Sequence, residues 1–394
     1  MSATGSKGGA GLRVALALGG TDRGRSGIST FVRSIVPGLR HGLEQTGGAL
    51  LPCPPREDRE AYEPALRGLA FRETPRALER PGPNALWHLL RAGALASRLG
   101  ADVLLLPAAN RRLTALSPIP TVAVVHDLAQ LHVAAKFDPL RMFYARQVMF
   151  RAFARATELV AVSGATRADL SRALGCRPER IRLVPNGVDA RRFAAPVESD
   201  PRVAAALAAT GLAPPYVLYI SRLEHPGKNH LRLLRAFARS GRAREHQLVL
   251  AGADFGAAAQ LRAESARLGI EKRVRLLGFV SDSLLPGLLA GADAAVMVGL
   301  CEGFGLPALE ALAAGRPLVA ANSGALPEVT GELAALCDPL SEESIGAALE
   351  RALGDEALRA RSLAEGPLWA AARGWEKTAA GLLDACRAAA ARET

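Results

Sequence analysis

The sequence predicts an α/β protein built from two doubly wound, Rossmann-like domains that face each other across a cleft. Short apolar runs alternate with longer helix-like stretches along the chain, the pattern of parallel sheets with helices on both faces. The length of 394 residues suits two or three domains at roughly 100–200 residues each. A proline-bearing segment, Ala194–Pro215, lies between two such runs of elements and reads as a linker.

Taken in order, residues 1–11 are small and polar. The first apolar run, Leu12–Leu18, ends in Gly19-Gly20 and reads as a strand rather than a signal peptide. Gly24-Arg25-Ser26-Gly27-Ile28-Ser29-Thr30 then forms a glycine-bearing turn into a helix over Phe31–Leu39. Pro52–Pro83 is rich in Arg and Pro and reads as loops and short helices. Further strands are expected at Val103–Leu106, Thr121–Val125, Leu159–Val162 and Ile181–Val184. In the second half they are expected at Tyr216–Ile220, Gln247–Ala251, Val274–Gly278, Ala294–Val298 and Leu318–Ala321. Helical patterns over Asn229–Arg239, Ala257–Leu268 and Pro307–Ala314 separate them. The domains expected are 1–200, 201–375, and a C-terminal helix at 376–394 that crosses back to the first.

Composition excludes several classes. Hydrophobic residues make up 49% and charged residues 22%, enough apolar surface for a core and against global disorder. No run approaches the roughly 18–20 apolar residues of a membrane span. The five cysteines are scattered, with no CxxC pair, which argues against a disulfide framework or a zinc site and for a reducing cytosol. The net charge of +11 is one-sided: residues 1–200 hold 28 Lys and Arg against 17 Asp and Glu, and the remainder balance. A basic half suits an acidic partner. A nucleic acid is not favoured, because no helix-turn-helix, RRM or zinc-finger spacing occurs.

Four segments at strand ends carry chemistry. Cys301-Glu302-Gly303-Phe304-Gly305-Leu306-Pro307-Ala308-Leu309-Glu310 follows a strand and opens a helix. The glycines allow close backbone approach, Pro307 suits a first helical turn, and the N–H groups there attract anions. Carboxylates beside such a site point to sugar or ribose hydroxyls; the plain reading is a solvated strand–helix turn. Ser221-Arg222-Leu223-Glu224-His225-Pro226-Gly227-Lys228-Asn229-His230 follows another strand. Its Arg222 and Lys228 can clamp a diphosphate, with Asn229 as helix N-cap. Val124-Val125-His126-Asp127-Leu128 puts a histidine at a strand end, either for proton transfer or as a satisfied core residue. The Gly24–Thr30 turn lacks GxGxxG spacing, so no dinucleotide fingerprint applies.

Together these residues resemble the family 4 retaining glycosyltransferases, which have the two-domain GT-B fold. Glu302-x7-Glu310 looks like that family's E-x7-E signature, and Arg222…Lys228-Asn229 is similar to its phosphate loop. Val125-His126-Asp127-Leu128, Val162-Ser163-Gly164-Ala165-Thr166-Arg167, Val184-Pro185-Asn186-Gly187-Val188-Asp189 and Pro327-Glu328-Val329 resemble its remaining segments, in order. The resemblance leans toward mannosyltransferases of bacterial surface polysaccharide assembly. Two departures stand out. Ser26, Ser29 and Thr30 stand where the family has Gly, Gly and Arg, although Gly27 is kept; and Val298-Gly299-Leu300-Cys301 replaces the usual approach to Glu302.

The resemblance implies transfer of a sugar from a nucleoside-diphosphate sugar to a glycan or polyprenyl-linked acceptor, with no cofactor. It assigns catalysis to His126, Glu302, Arg222 and Lys228. It assigns donor binding to Gly27, Arg222, Lys228, Glu302, Phe304, Gly305, Leu306 and Glu310. No Asp-x-Asp occurs, so no metal is expected. A nucleotide-sugar epimerase and a non-catalytic nucleotide-sugar-binding protein are the alternatives. The expected location is the cytoplasm, with peripheral contact at anionic membrane. A helix over Phe137–Ala156 would carry that contact, with Met142, Phe143, Met149, Phe150 and Phe153 on one face and Arg141, Arg151, Arg155 and Tyr144 on the other. Arg146 falls within the apolar face. An ordinary core-packed helix is the plainer reading of the same pattern.

Overall fold

The computed structural model describes residues 11–20, 24, 26–53, 59–69, 81–133, 148–194 and 200–392. They form two compact units: Met1–Leu128 with Pro139–Pro185 and Trp375–Thr394, and Ala129–Asp138 with Asn186–Gly374.

The first unit holds β1 (Arg13–Ala17), β2 (Ala49–Cys53), β3 (Val103–Leu106), β4 (Thr121–Val125), β5 (Glu158–Ala161) and β6 (Ile181–Leu183). They form one sheet in the order β2-β1-β3-β4-β5-β6, and each pairing is parallel. Strands β3, β4 and β5 are buried along their whole length, which explains their apolar runs; β4 opens on the buried Thr121, and β5 on the buried Glu158, one residue before the expected Leu159. The helix Gly27–Glu44 starts at Ser26, whose Oγ accepts from the Ser29 N–H. It buries Ile28, Phe31, Val32, Ile35, Val36, Leu39 and Leu43, one face at helical spacing. The C-terminal helix Trp375–Ala391 packs against it. Thr378 Oγ1 donates to the Pro185 carbonyl at 2.8 Å.

The second unit holds β7 (Tyr216–Ile220), β8 (Gln247–Ala251), β9 (Val274–Gly278), β10 (Ala294–Met297), β11 (Leu318–Ala321) and β12 (Ala334–Cys337). Their order is β12-β11-β10-β7-β8-β9, again all parallel. From β7 the chain winds outward through β8 and β9, then returns to β10 and winds the other way. Ligands in such sheets bind beyond the carboxyl ends of the two strands where the direction reverses. Here those strands are β7 and β10.

Several expectations change. The described part of Ala194–Pro215, residues 194 and 200–215, is no free linker, and the units divide ahead of it, at Pro185–Asn186. Asp200 caps the helix Pro201–Thr210 by accepting from the Arg202 N–H. Arg202 chelates the Asp200 carboxylate at 2.6–3.0 Å and donates to the carbonyls of Arg192 and Ala194. These bonds tie Asp200 and Arg202 to Arg192 and Ala194 within the second unit. Two edge strands and a long helix, Pro81–Arg98, were not anticipated. Strand β2 contains Pro52 and β12 is short and alanine-rich, both weak strand signals.

Of the expected helix Phe137–Ala156, only the end lies among the described residues, as Phe150–Arg155; Arg141, Met142, Phe143, Tyr144 and Arg146 lie outside them. In the described part Met149 and Phe153 are in the core and Phe150 packs against it. These three side chains are spent inside the unit, which corrects the membrane-docking reading for Met149, Phe150 and Phe153. Among the described residues no helix is long and apolar enough to cross a membrane. None of the five cysteines is in a disulfide.

Replacing Asp200 by Ala removes the cap and leaves the Arg202 guanidinium without its carboxylate. A loss of about 1–2 kcal/mol is expected, read by urea unfolding. No measurable loss would mean that the cap and the chelate contribute nothing to stability.

Candidate functional site

The loops after β7 and β10 meet at the point where the second sheet reverses. Lys228 Nζ donates to both carboxylate oxygens of Glu302, at 2.7 and 3.0 Å. The pair is mostly shielded, with side-chain exposures of 18% and 9%, so water weakens it less than it would a surface pair. Two expected site residues 74 positions apart are therefore in direct contact.

Their backbones are pinned by neighbours. Leu300 N–H donates to the Gly227 carbonyl at 2.9 Å, joining the two loops directly. Tyr219, buried on β7, donates its hydroxyl to the Lys228 carbonyl at 2.9 Å. Asn229 adopts a left-handed conformation at φ 60°. Its side chain makes no cap hydrogen bond, which corrects the expected N-cap role. Instead its buried amide donates to the Val298 carbonyl at 3.0 Å and the Pro339 carbonyl at 2.6 Å, and its oxygen accepts from Arg232. On the other side the Ala325 N–H donates to the Glu302 carbonyl. Glycine is needed at 324, where φ is +57° and a Cβ would lie 2.5 Å from that carbonyl oxygen.

The helix Leu306–Ala313 begins directly after Gly305, which is left-handed at φ 90°, with Pro307 in its first turn. Ala308 N–H turns back to the Gly305 carbonyl. The N–H groups of Phe304, Gly305 and Leu306 precede the intrahelical ladder, at the positive end of the helix dipole. Glu310 lies one turn inside and is buried. Burial raises its carboxyl to about 7, with Asp282 pushing the same way and Arg192 opposing.

Arg222 sits in the β7 loop but is not joined to Glu302. It pairs with Glu224 at 3.2 Å and lies 4.9 Å over the Phe255 ring. Phe255 reaches it because the loops after β7 and β8 keep pairing beyond the sheet: Leu223 N–H donates to Ala253, and Phe255 N–H to Leu223.

The first unit carries the other expected residues. His126, at the end of β4, is buried, with its Nε2 2.8 Å from the Pro107 carbonyl. A carbonyl only accepts, so Nε2 carries the proton and Nδ1 is the ring's acceptor. Burial lowers its pKa, so the ring is neutral near pH 7. The edge-on Phe31 ring, 4.7 Å away, holds its plane. Thr166 donates to its carbonyl. His126 is thus a satisfied core histidine that retains an acceptor nitrogen, rather than a cationic donor. Gly27 is the first residue of the helix Gly27–Glu44. The serines that depart from the family pattern have a local use there, since Ser26 caps the turn onto Ser29.

Tyr219, Asn229 in its actual role, Gly324, Arg192 and Asp282 went unrecognised as site residues in the sequence. All but Tyr219, whose partner Lys228 is nine residues on, act through a contact distant along the chain, for which periodicity and motif spacing give no signal.

Known proteins agree with this architecture. Residues 26–192 match the family model described as Glycosyltransferase Family 4, and residues 209–367 match that described as Glycosyl transferases group 1. An MMP alpha-(1->4)-mannosyltransferase of Mycolicibacterium hassiacum is 36% identical over 59% of this chain and 56% of its own. A D-inositol 3-phosphate glycosyltransferase of Rhodococcus opacus is 32% identical over 69% of this chain and 62% of its own. The chain thus spans less than two thirds of the length of these relatives. The crystal structure of Anabaena HepE with UDP and glucose superposes with a TM-score of 0.73 at 19% identity, covering 95% of this chain and 98% of that one.

Two predictions follow from the contacts alone. Asn229→Gly keeps the left-handed backbone and loses the amide, at a cost of about 1–2 kcal/mol, whereas Asn229→Asp sets a carboxylate against two carbonyls and costs on the order of 3 kcal/mol. Equal losses in chemical denaturation would refute the amide's role. The second concerns Glu310, whose folded value of about 7 exceeds the ordinary 4.5. The folded chain holds a proton that the unfolded chain loses, so this contribution is full below the ordinary value and disappears as pH rises through the folded one. Between pH 4 and pH 8 the wild type should lose on the order of 3 kcal/mol relative to Glu310→Gln. Parallel stability curves for the two proteins would assign the titration elsewhere.

Proposed function

We propose a donor and a reaction for this chain, which belongs to the family 4 glycosyltransferases: it moves a sugar from a nucleoside-diphosphate sugar to a glycan or lipid-linked glycan acceptor. The observation that carries the reading is the Lys228–Glu302 pair beside the N-terminus of the helix Leu306–Ala313, where β7 and β10 diverge. A cation and a helix dipole at such a point suit a diphosphate. A carboxylate beside them suits sugar hydroxyls.

In this reading Lys228 and the N–H groups of Phe304, Gly305 and Leu306 hold the diphosphate, with Arg222 joining them by leaving Glu224. Glu302 accepts from hydroxyls of the donor sugar. Glu310 receives the ribose hydroxyls. His126 Nδ1 accepts from a hydroxyl of the donor sugar or the acceptor. As the bond between the sugar carbon and the phosphate oxygen breaks, negative charge grows on the diphosphate. Preorganised cations and N–H dipoles stabilise that charge without a metal. The acceptor oxygen bonds to the same face of the sugar carbon, and its proton passes to the departing phosphate oxygen, so configuration is retained.

The first unit takes the acceptor in this scheme. Its excess of basic residues suits an anionic acceptor or membrane surface in the cytoplasm, and the apolar residues of the helix Phe150–Arg155, being internal, take no part in that attraction. The mannosyltransferase named above supports a hexose donor, and assembly of cell-surface polysaccharide is the setting we propose.

The test is a panel of UDP-, GDP-, ADP- and dTDP-sugars, each with candidate acceptors, reading nucleoside diphosphate release and the product's anomeric configuration. With the donor in hand, Lys228→Ala and Glu302→Ala should each lower turnover by roughly 10²-fold or more. Near wild-type turnover in either variant would overturn the assignment. Epimerised donor without transfer would make the chain an epimerase, and binding without turnover would leave a non-catalytic nucleotide-sugar-binding protein.

A further inference from the structure

Gly299, the second residue past β10, has no assigned role. It is buried, and its backbone lies in an ordinary region rather than a left-handed one. What singles it out is what a side chain there would meet. A Cβ at 299 would lie 2.5 Å from Glu302 Oε1, with the Gly227 carbonyl oxygen at 3.5 Å. The first distance is well inside contact; the second is ordinary. The atom in the way is the end of a flexible side chain, so a larger residue would be accommodated by moving the Glu302 carboxylate. That carboxylate is the one Lys228 grips at 2.7 and 3.0 Å.

We propose that Gly299 is a specificity-determining position: its missing side chain lets Glu302 draw back onto Lys228, so that the cation meant for a diphosphate is neutralised by the protein's own carboxylate. This rests on the reading of Lys228 as a diphosphate ligand. A free diphosphate must break the ion pair and also approach a carboxylate. A donor whose sugar hydroxyls occupy Glu302 has that carboxylate drawn away as part of its own binding. The pair therefore weakens binding of free diphosphate relative to a complete donor, and Gly299 sets how far.

The pair is reached from both ends. Ser323 Oγ donates to the Gly299 carbonyl at 3.3 Å, and the Leu300 N–H holds the Gly227 carbonyl. The backbone at 299 is therefore fixed from each side, and a new side chain would act on Glu302 rather than displace the loop.

The experiment is calorimetric titration of the full chain with inorganic pyrophosphate, which requires no knowledge of the base or the sugar. Gly299→Ala and Gly299→Ser should both bind pyrophosphate about three- to tenfold more tightly than wild type, the range a partly buried ion pair commands. Ala is included because Ser could add a hydroxyl contact of its own. Glu302→Gln should tighten binding at least as much, and circular dichroism checks that each variant is folded. If Glu302→Gln tightens binding and neither Gly299 variant does, Gly299 does not set the pair. If Glu302→Gln binds no more tightly than wild type, the ion pair does not compete with diphosphate. Lys228→Ala separates the two layers of argument: pyrophosphate binding unchanged by its loss would sink the diphosphate reading itself, whatever the Gly299 variants do.

Discussion

The contact between Lys228 and Glu302 is the interaction on which the second unit's site depends. It exists because the sheet reverses direction between β7 and β10, which leaves two loops side by side with no strand between them. An ion pair alone would not hold such loops, since exposed pairs contribute little. Here three other groups fix the geometry first: the Leu300 N–H, the Tyr219 hydroxyl and the Asn229 amide. The charges then meet at hydrogen-bonding distance with little conformational freedom left to lose.

The first unit uses the same architecture for another purpose. Its strand ends carry a neutral, hydrogen-bonded histidine, and its leading helix starts from a serine cap at Ser26. The imidazole is locked by a carbonyl on one side and an aromatic edge on the other. It supplies a fixed acceptor, whereas the second unit supplies cations and a carboxylate. The excess of positive charge lies in residues 1–200, the half of the sequence that carries the histidine, while the half that carries Lys228 and Glu302 is balanced.

Much of this was legible in the sequence, for a physical reason. Strands buried on both faces must be apolar throughout, so Val103–Leu106, Thr121–Val125 and Tyr216–Ile220 were found with their true limits. Edge strands need no such run: β2 tolerates Pro52, and β12 consists of small residues. The site loops were visible because glycine, proline and charge gather at strand ends. The partners of those loops were not. Asn229 looked like a cap, since asparagine before a helix usually is one, but its left-handed backbone directs the amide across to Val298 and Pro339. The amphipathic pattern at Met149–Phe153 fits a membrane or a core equally well, and only packing distinguishes them.

The strand order of the second unit also bears on when its site can form. Lys228 and Glu302 are separated by 74 residues, and the intervening chain contains β8 and β9. Closing so long a loop costs chain entropy before any contact offsets it, and parallel pairings of this range are slow to form. The β7 loop cannot receive the β10 loop until that excursion has found its place in the sheet. The ion pair can therefore form only after that excursion, and a chain emerging from the ribosome has no Lys228–Glu302 contact until the segment through Glu302 has been made and docked.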